Sequence, residues 1–214
     1  MPIDLSPERG HLFRISHIDN LPWLLANGLP CATGPRAPNF VAIGNPDLIE
    51  RRGTRVVRVP PGGTLADYVP FYFTPKSPML LNIHTGYRGI KKRENAEIVI
   101  LVTAIPTLIT QGIPFLFTDR HAYMDLARFS ADLSELPNMI DWEILRRHDF
   151  ARSDEYPDKM DRYQAEALVH RHLPVAALRG IACDSAATQQ RVETMVQHAG
   201  LGLRVVVRTG WYFS

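Results

Sequence analysis

The chain has 214 residues, with 24 Lys or Arg against 22 Asp or Glu and a formal net charge of +2. A hydrophobic fraction of 45% with 21% charged residues excludes global disorder, and the length suits one domain with a sizeable core. The net charge is too small to indicate a polyanion partner, so any contact with nucleic acid has to come from local basic clusters.

The cysteine content and the apolar runs predict a cytoplasmic protein without membrane contact. The two cysteines, Cys31 and Cys183, cannot form a disulfide framework, and neither has the C-x-x-C partner of a cysteine zinc site. Residues 1–5 lack the basic start and apolar run of a signal peptide. The longest apolar stretch, Ile98–Ile105, is far shorter than the ~20 residues that cross a bilayer.

The N-terminal region predicts a strand, a tight turn and a short helix in direct succession. Leu12–Ser16 has the composition of a strand, Asp19 or Asn20 can cap the following helix, and Gly28 can end it. The mouth of such a turn presents backbone N–H groups, which suits an anion or a polar ligand.

A long loop and two strands are expected next. Residues 30–55 are rich in Pro, Gly and Asn and predict a functional loop with one helical turn, Asp47–Arg52. Arg55–Pro60 and the aromatic segment Val69–Pro75, in which the aromatic residues lie between two prolines, predict strands.

The remaining pattern mixes strands and helices without βαβ regularity and therefore favours an α+β fold. Glu97–Ile105 contains an unbroken β-branched run, which predicts a strand buried on both faces. Ala165–Leu173 is compatible with either a helix or a strand. The other expected elements are strands at Phe115–Thr118 and Arg204–Arg208 and helices at Tyr123–Ser130, Met139–Arg147 and Ser185–Ala199.

Glu166 stands beside an apolar run and is the first candidate for a functional residue. The sequence contains no P-loop, nucleophile elbow, H-E-x-x-H pair or G-x-G-x-x-G loop, which leaves separated polar residues as candidates. Burying a carboxylate beside Ala-Leu-Val is unfavourable unless it is paired or used. The alternative is a partly exposed salt bridge with Arg162 or His170, four residues away if the segment is helical.

Two further patterns leave a metal-dependent activity open. His170 and His172 would point the same way in a strand, although a third metal ligand is not evident. The acidic residues between positions 154 and 161 suit either a magnesium nuclease or a solvated loop. These acidic residues are Asp154, Glu155, Asp158 and Asp161.

A basic cluster and an aromatic strand leave a third function open, the binding of single-stranded nucleic acid. Lys91–Arg93 follows Tyr87–Arg88, and the aromatic run Phe71–Phe73 precedes both. Aromatic faces stack on bases while nearby Lys and Arg neutralise phosphates. The alternative is a solvated loop beside aromatic residues of the core.

Several segments, taken in order, resemble the DarT family of DNA ADP-ribosyltransferase toxins over nearly the whole chain. Each segment alone is a weak signal, and their common order is specific. The segments are His17–Leu21 through Gly28–Leu29, Ile43–Gly44 through Leu48–Arg52, Asp67–Phe73 with Pro78–Leu80, Thr118–Ala122, and Arg162–Val169.

This resemblance implies a fold and a reaction. The fold would be a single domain over residues 1–214, an α+β ADP-ribosyltransferase-like fold in which helices flank a split central β-sheet. The reaction would transfer ADP-ribose from the co-substrate NAD⁺ to thymine or guanine in single-stranded DNA, without a metal. A macrodomain antitoxin, DarG, would be the partner that reverses it. A metal-dependent nuclease and a non-catalytic single-strand-binding module remain the alternatives.

The resemblance also implies roles for individual residues. Glu166 would be catalytic together with Arg51 or Arg52, a choice that the motif does not make. The segment from about 35 to 54 would cover NAD⁺, and the segment from about 121 to 164 would present the DNA. The NAD⁺-binding residues would be His17, Ile18, Asp19, Asn20, Gly28, Leu29, Gly44 and Arg51, with His17, Ile18 and Asp19 on the adenosine and ribose side. The DNA-binding residues would be Tyr72, Met79, Arg88, Lys91, Lys92 and His121.

Elementary chemistry agrees with a single essential glutamate. Breaking the nicotinamide–ribose bond develops positive charge on the ribose, as in glycoside cleavage, and a fixed carboxylate stabilises that charge. The attacking base nitrogen has to lose a proton, which the mechanism proposed for the family gives to the arginine. Because the pKa of a guanidinium exceeds ~12, we expect the arginine mainly to bind the NAD⁺ phosphates or to stabilise a deprotonated base.

Overall fold

Short strands supply most of the framework that positions the polar residues. The computed structural model describes residues 4–151 and 153–214, except for the side chain of Arg88. The strands in these ranges are β1 (His11–His17), β2 (Leu29–Pro30), β3 (Tyr68–Tyr72), β4 (Ile98–Ala104), β5 (Phe115–Thr118), β6 (Phe129–Ser130), β7 (Glu166–His170), β8 (His172–Leu173), β9 (Gly180–Cys183) and β10 (Val205–Val207).

Eight of these strands form one mixed sheet that is split at its middle. The order is β10-β9-β4-β1-β3-β7-β5-β6, while β2 and β8 form a separate antiparallel pair. β1 and β3 share one register pair, Phe13 with Tyr72, although each is continuously paired to its other neighbour. Pro70 weakens the junction further, because it has no N–H to donate to a neighbouring strand. The strands of the two half-sheets are therefore paired with each other at one position only, Phe13 with Tyr72, among the described residues.

Helices cover the sheet, and side-chain caps fix where several of them begin. Asn45, Ser77, Asp141 and Ser185 each accept a backbone N–H from the first turn of the helix that follows. The helices are α1 (Leu21–Asn27), α2 (Pro46–Thr54), α3 (Pro78–Thr85), α4 (Ile105–Thr110), α5 (Leu136–Met139), α6 (Trp142–Arg147), α7 (Lys159–Tyr163) and α8 (Ala186–His198). Among the described residues, no helix is long and apolar enough to cross a membrane.

The main hydrophobic core follows β4, as its composition predicts. The side chains of Ile98, Val99, Ile100 and Leu101 are all at most 1% exposed, because β4 lies between β1 and β9 with both faces covered. The expected strand over Glu97–Ile105 is thereby confirmed, as are the N-terminal strand, the helix that ends at Gly28, and α8.

The prediction of a strand over Arg55–Pro60 is wrong. Within the described chain its ladder pairing is limited to one isolated bridge, Val56 with Thr64. The reason lies in the following Gly62–Gly63, which both adopt positive φ and turn the chain back at once, so that the Val57 N–H donates to the Gly63 carbonyl. The segment forms a compact turn and has no long partner strand.

The expected helix Tyr123–Ser130 is also wrong, since turns lead there directly into β6. Asp119 holds this segment by two bonds to Arg128, accepting its N–H at 2.9 Å through the carboxylate and donating its own N–H to the Arg128 carbonyl. The helix expected over Met139–Arg147 begins later, at Trp142.

The ambiguous segment Ala165–Leu173 forms two strands in different sheets. Arg171 separates them with a φ of +61°, which redirects the chain between β7 and β8. His170 and His172 therefore do not share one strand face. His172 instead approaches the Asn27 carbonyl through Nε2 at 2.7 Å.

Candidate active site

Glu166 opens β7 directly across from Tyr72 of β3, and its side chain is 1% exposed. The Thr118 hydroxyl, at the end of β5, accepts the Glu166 N–H at 3.1 Å and so fixes the backbone. The carboxylate accepts three hydrogen bonds. Arg52 donates from Nη1 to Oε1 at 3.0 Å and from Nη2 to Oε2 at 2.9 Å, and the Ala122 N–H donates to Oε1 at 3.0 Å. The plane of the carboxylate is therefore fixed.

Burial and pairing act in opposite directions on this carboxylate. Burial alone would raise the pKa of Glu166, but the Arg52 guanidinium and the Ala122 N–H together hold this pKa below its ordinary value. Glu166 is consequently ionised at neutral pH although it is buried. A buried, ionised and oriented carboxylate is the group that a developing positive charge requires.

Helix α2 brings Arg52 to Glu166 and leaves Arg51 outside. The Arg52 side chain is 13% exposed, whereas Arg51 is exposed and makes no ion pair among the described residues. Burial would lower the pKa of Arg52, but Glu166 raises it above its usual value, so the side chain stays cationic. Because neighbouring helical residues point about 100° apart, one of the two arginines can face the carboxylate. The geometry favours Arg52 as the arginine of the site.

His121 lies beside the ion pair as a neutral ring. Its Nδ1 accepts the Tyr123 N–H at 3.3 Å, so the proton resides on Nε2, which is 3.8 Å from Glu166 Oε1 and too far for a hydrogen bond. Burial lowers the pKa of His121 more than Glu166 raises it. The imidazole is thus an uncharged donor at the edge of the carboxylate.

Arg14 is a functional candidate that the motif analysis missed. It lies on β1 and reaches across the split in the sheet, where Nη1 donates to the Pro70 carbonyl at 2.9 Å. Burial, with Arg52 and Arg36 nearby, lowers the pKa of Arg14 to about 10. A charged residue inside the apolar run Leu12–Ser16 is the sequence signal that could have identified it, for the same reason that Glu166 was noticed.

A small cavity opens beside Arg14 and is built mainly by β1, α1, β2 and the loop after β2. Arg36 comes from this loop and stacks on Phe40, with the guanidinium carbon 5.2 Å from the ring centroid. Two guanidinium groups, with apolar walls between them, suit a ligand that carries both anionic and apolar parts. The lining residues are Arg14, Ser16, Leu24, Leu29, Pro30, Arg36 and Phe40.

Comparison with known proteins identifies the family to which this site belongs. The family model described as DarT, an ssDNA thymidine ADP-ribosyltransferase, matches residues 13–213. The chain belongs to the DarT family. A DNA ADP-ribosyl transferase of Escherichia coli is 47% identical over 211 residues, which are 98% of this chain and 96% of that relative.

Two solved DarT structures share the whole architecture. Thermus sp. 2.9 DarT in complex with ADP-ribosylated ssDNA has a TM-score of 0.88 at 33% identity, with 100% of both chains covered. The same Thermus protein in complex with NAD⁺ has a TM-score of 0.82 at 32% identity, covering 97% of this chain and 100% of that one. These matches confirm the family resemblance, the α+β ADP-ribosyltransferase fold and the class of an NAD-dependent DNA ADP-ribosyltransferase.

The DarT residues expected to bind NAD⁺ in the first turn are largely engaged within the protein. His17 is 4% exposed; its Nδ1 accepts the Asp19 N–H at 3.2 Å and its Nε2 lies 3.4 Å from Glu97 Oε1. Asn20 is 3% exposed and bonds the backbone of Val41. Ile18 is buried, whereas Asp19 is exposed.

Gly28 and Leu29 lie where the first helix meets the cavity. Leu29 lines the cavity itself. Gly28 has a φ of +79°, and a Cβ there would come within 2.4 Å of His172 Nε2 and 2.6 Å of the Leu173 carbonyl oxygen. Only glycine fits this position, where the absence of a side chain lets β2 approach β8.

Gly44 and Met79 are neighbours, although the resemblance assigns them to different ligands. A Cβ at Gly44 would meet Ile49 Cδ1 at 3.2 Å and Met79 Cε at 3.4 Å. Ile49 remains 43% exposed, so these residues form an apolar surface beside α2. The segment 35–54 therefore supplies this surface, the cavity residues Arg36 and Phe40, and Arg52.

The structure brings some of the expected DNA-binding residues to Glu166 and leaves others elsewhere. Tyr72 and His121 lie next to the carboxylate. Lys91 and Lys92 are exposed residues between α3 and β4, and among the described residues their side chains make no hydrogen bond or ion pair with Glu166, Arg52 or His121. The side chain of Arg88 lies outside the described part of the chain.

The segment 121–164 begins and ends beside Glu166, which suits the presentation of a DarT substrate. The His121 N–H donates to the Asp161 carbonyl at 2.9 Å and joins its two ends. Its acidic residues do not converge: Asp158 pairs with Arg120 and Arg162, while Asp154 and Glu155 are exposed. No group of three or more His, Cys, Asp or Glu suited to a metal occurs among the described residues.

Proposed function

We propose that this DarT protein is a toxin that acts as a single domain and transfers ADP-ribose from NAD⁺ to thymine or guanine in single-stranded DNA. The observation that carries the proposal is the Glu166 carboxylate, which is buried, ionised and held by three hydrogen bonds. The family membership and the Thermus DarT complexes with NAD⁺ and with ADP-ribosylated ssDNA support the choice of substrates.

NAD⁺ binds along the split in the sheet, and part of the dinucleotide enters the small cavity beside Arg14. Arg14 and Arg36 face its diphosphate, because both residues line the cavity and Arg36 lies close enough to help lower the pKa of Arg14. Leu24, Leu29 and Phe40 supply the apolar surface that an adenosine ring needs. The nicotinamide ribose then points towards Glu166 and Arg52, whose charge also acts on Arg14.

The chemistry begins when the bond between ribose C1′ and the nicotinamide nitrogen breaks. The electron pair leaves with nicotinamide, which becomes neutral, and positive charge develops on the ribose. Glu166 stabilises this charge, since its carboxylate cannot reorient or become solvated. A base nitrogen then attacks C1′ and releases its proton to water, and Arg52 stabilises the base as this proton departs.

The DNA approaches from the side of the segment 121–164. Tyr72 and His121 flank Glu166, so an aromatic ring and an uncharged N–H donor are available to the target base. The partner that reverses the reaction is a macrodomain antitoxin of the DarG type, as the DarT family implies.

The test is mass spectrometry of nucleosides from single-stranded DNA oligonucleotides that contain either thymidine or deoxyguanosine, incubated with the protein and NAD⁺. The expected result is release of nicotinamide and a nucleoside carrying one ADP-ribosyl group, with the nucleoside identifying the base. EDTA should not stop this reaction. Strand cleavage that EDTA abolishes would support the nuclease instead, and binding without any adduct would support the non-catalytic module.

A further inference from the structure

The Asn20 side chain replaces a strand partner for a loop that otherwise has few bonds. Its Nδ2 donates to the Val41 carbonyl at 2.9 Å, and its Oδ1 accepts the Val41 N–H at 2.8 Å. These are the two bonds that a paired residue in a neighbouring strand would make. Because both polar atoms of the amide are used and the residue is 3% exposed, Asn20 has no free group to offer a ligand.

The bonds of residues 34–44 to the rest of the protein are concentrated at this point. Before the segment, Ala32 and Thr33 bond the Ala66 carbonyl, and after it Asn45 caps α2. Apart from the Gly34 N–H, which donates to the nearby Cys31 carbonyl at the start of the segment, the hydrogen bonds that join residues 34–44 to other parts of the described chain are the two between Val41 and Asn20. Removing them leaves eleven consecutive residues tied at their ends alone.

The same segment builds one wall of the cavity. Arg36 and Phe40 line it from the loop, while Ser16 lines it from β1 and lies 3.5 Å from Asn20 Nδ2 through its Oγ. The Asn20–Val41 bonds therefore lie next to the cavity and connect its β1 side, which includes Ser16, to the loop that carries Arg36 and Phe40. Bonds that hold Val41 also restrain Phe40, which precedes it directly, and Arg36, because only four residues lie between Arg36 and Val41.

We propose that Asn20 is a positioning residue for NAD⁺ binding: its amide holds residues 34–44 against the cavity and so places Arg36 and Phe40 on the dinucleotide. This inference rests on the proposed function, in which part of NAD⁺ enters that cavity. It assigns Asn20 an indirect role, acting through the loop, in place of the direct contact that the family resemblance implies.

The test compares Asn20→Ala with Val41→Pro, which removes the N–H that Oδ1 accepts and leaves the Asn20 side chain in place. Both variants should raise the KM for NAD⁺ about tenfold and leave kcat at saturating NAD⁺ within about twofold. Both should also speed hydrogen exchange of residues 34–44 in the absence of NAD⁺. Ala42→Pro is the matched control, because Ala42 is exposed and its N–H makes no hydrogen bond within the described residues.

Three results would overturn the inference. Unchanged hydrogen exchange in both variants would show that these bonds do not hold the loop. A raised KM in Asn20→Ala but not in Val41→Pro would show that Asn20 contacts the dinucleotide directly. An equal effect of Ala42→Pro would show that proline itself disturbs the segment. Failure of the proposed function is separate: the unmodified protein would then bind no NAD⁺ in calorimetry, whereas hydrogen exchange would still report whether Asn20 holds the loop.

Discussion

Two clusters of buried polar side chains flank the split in the sheet, and they are satisfied in different ways. Around Glu166, charged groups from separate segments pair with one another, so Arg52 on α2 meets a carboxylate on β7. Around Asn20 and His17, side chains bond mainly to the backbone of nearby loops and turns, although His17 Nε2 also lies 3.4 Å from Glu97 Oε1. The ion pair fixes a buried charge at the split in the sheet, whereas the bonds to the backbone hold loops and turns in place. We therefore expect substitutions in the first cluster to affect chemistry and those in the second to affect support.

The largest effect is expected from removing the charge at Glu166. Glu166→Gln keeps the size and one acceptor for the Ala122 N–H but cannot stabilise a positive ribose, so kcat for DNA modification should fall about 1,000-fold. Nicotinamide release in the presence of oligonucleotide measures this. DNA binding and the unfolding transition of the same variant serve as controls, and near-normal turnover would place the catalytic charge elsewhere.

Arginine substitutions test which side of α2 is functional. Arg52→Lys loses the two-point contact with Glu166 and should lower kcat about 100-fold, since a lysine cannot orient the carboxylate plane. Arg51→Lys should change kcat by less than about threefold, because Arg51 is exposed. The reverse ranking of the two variants would assign the reaction to Arg51.

Arg14→Met tests whether the cavity beside Arg14 takes part in NAD⁺ binding or is only structural. Loss of a buried guanidinium beside the diphosphate should weaken NAD⁺ binding about tenfold in calorimetry, with the charge-assisted bonds as the reason. Arg9→Met is the matched control, because that arginine is largely exposed. Equal affinities for the two variants would remove Arg14 from the NAD⁺ site.

The pH dependence of stability tests whether the Glu166 carboxylate is ionised in the folded protein. Because the pKa of Glu166 is lowered in the folded state from 4.5, its stabilisation is fully present above that value and is lost as the pH falls through the lowered pKa. The free energy of unfolding of the unmodified protein should therefore approach that of Glu166→Gln as the pH falls below 4.5. Denaturant titrations of both proteins measure this difference. A gap that stays constant with pH would mean that the carboxylate is not ionised in the folded protein.

The smallest effect is expected in the acidic part of the segment 121–164. Neutralising both Asp154 and Glu155 should leave DNA modification within about twofold of the unmodified protein, with or without EDTA, because both side chains are exposed. A loss of activity that added Mg²⁺ modulates would instead support a role for metal.

Local sequence signals predicted the parts of the molecule that local physics decides. The β-branched run of β4 and the capped helix α8 formed as expected, and Glu166 was noticed because a carboxylate is unfavourable beside apolar residues. The choice between Arg51 and Arg52 depends on how α2 rotates against β7, which no local pattern records. Arg14 was missed although it breaks an apolar strand in the same manner, and its reach to Pro70 follows from the long-range pairing of β1 and β3.

The tight packing around Gly28 provides a way to make the activity of this DarT protein depend on temperature. A methyl group at this position would overlap β8, which pairs with β2 beside the cavity and follows β7, the strand that begins at Glu166. Gly28→Ala should therefore weaken both halves of the enzyme at once and yield a temperature-sensitive allele. A protein with this substitution would fold and be active at low temperature and would unfold at higher temperature. The growth temperature alone would then control the activity in cells that carry the gene.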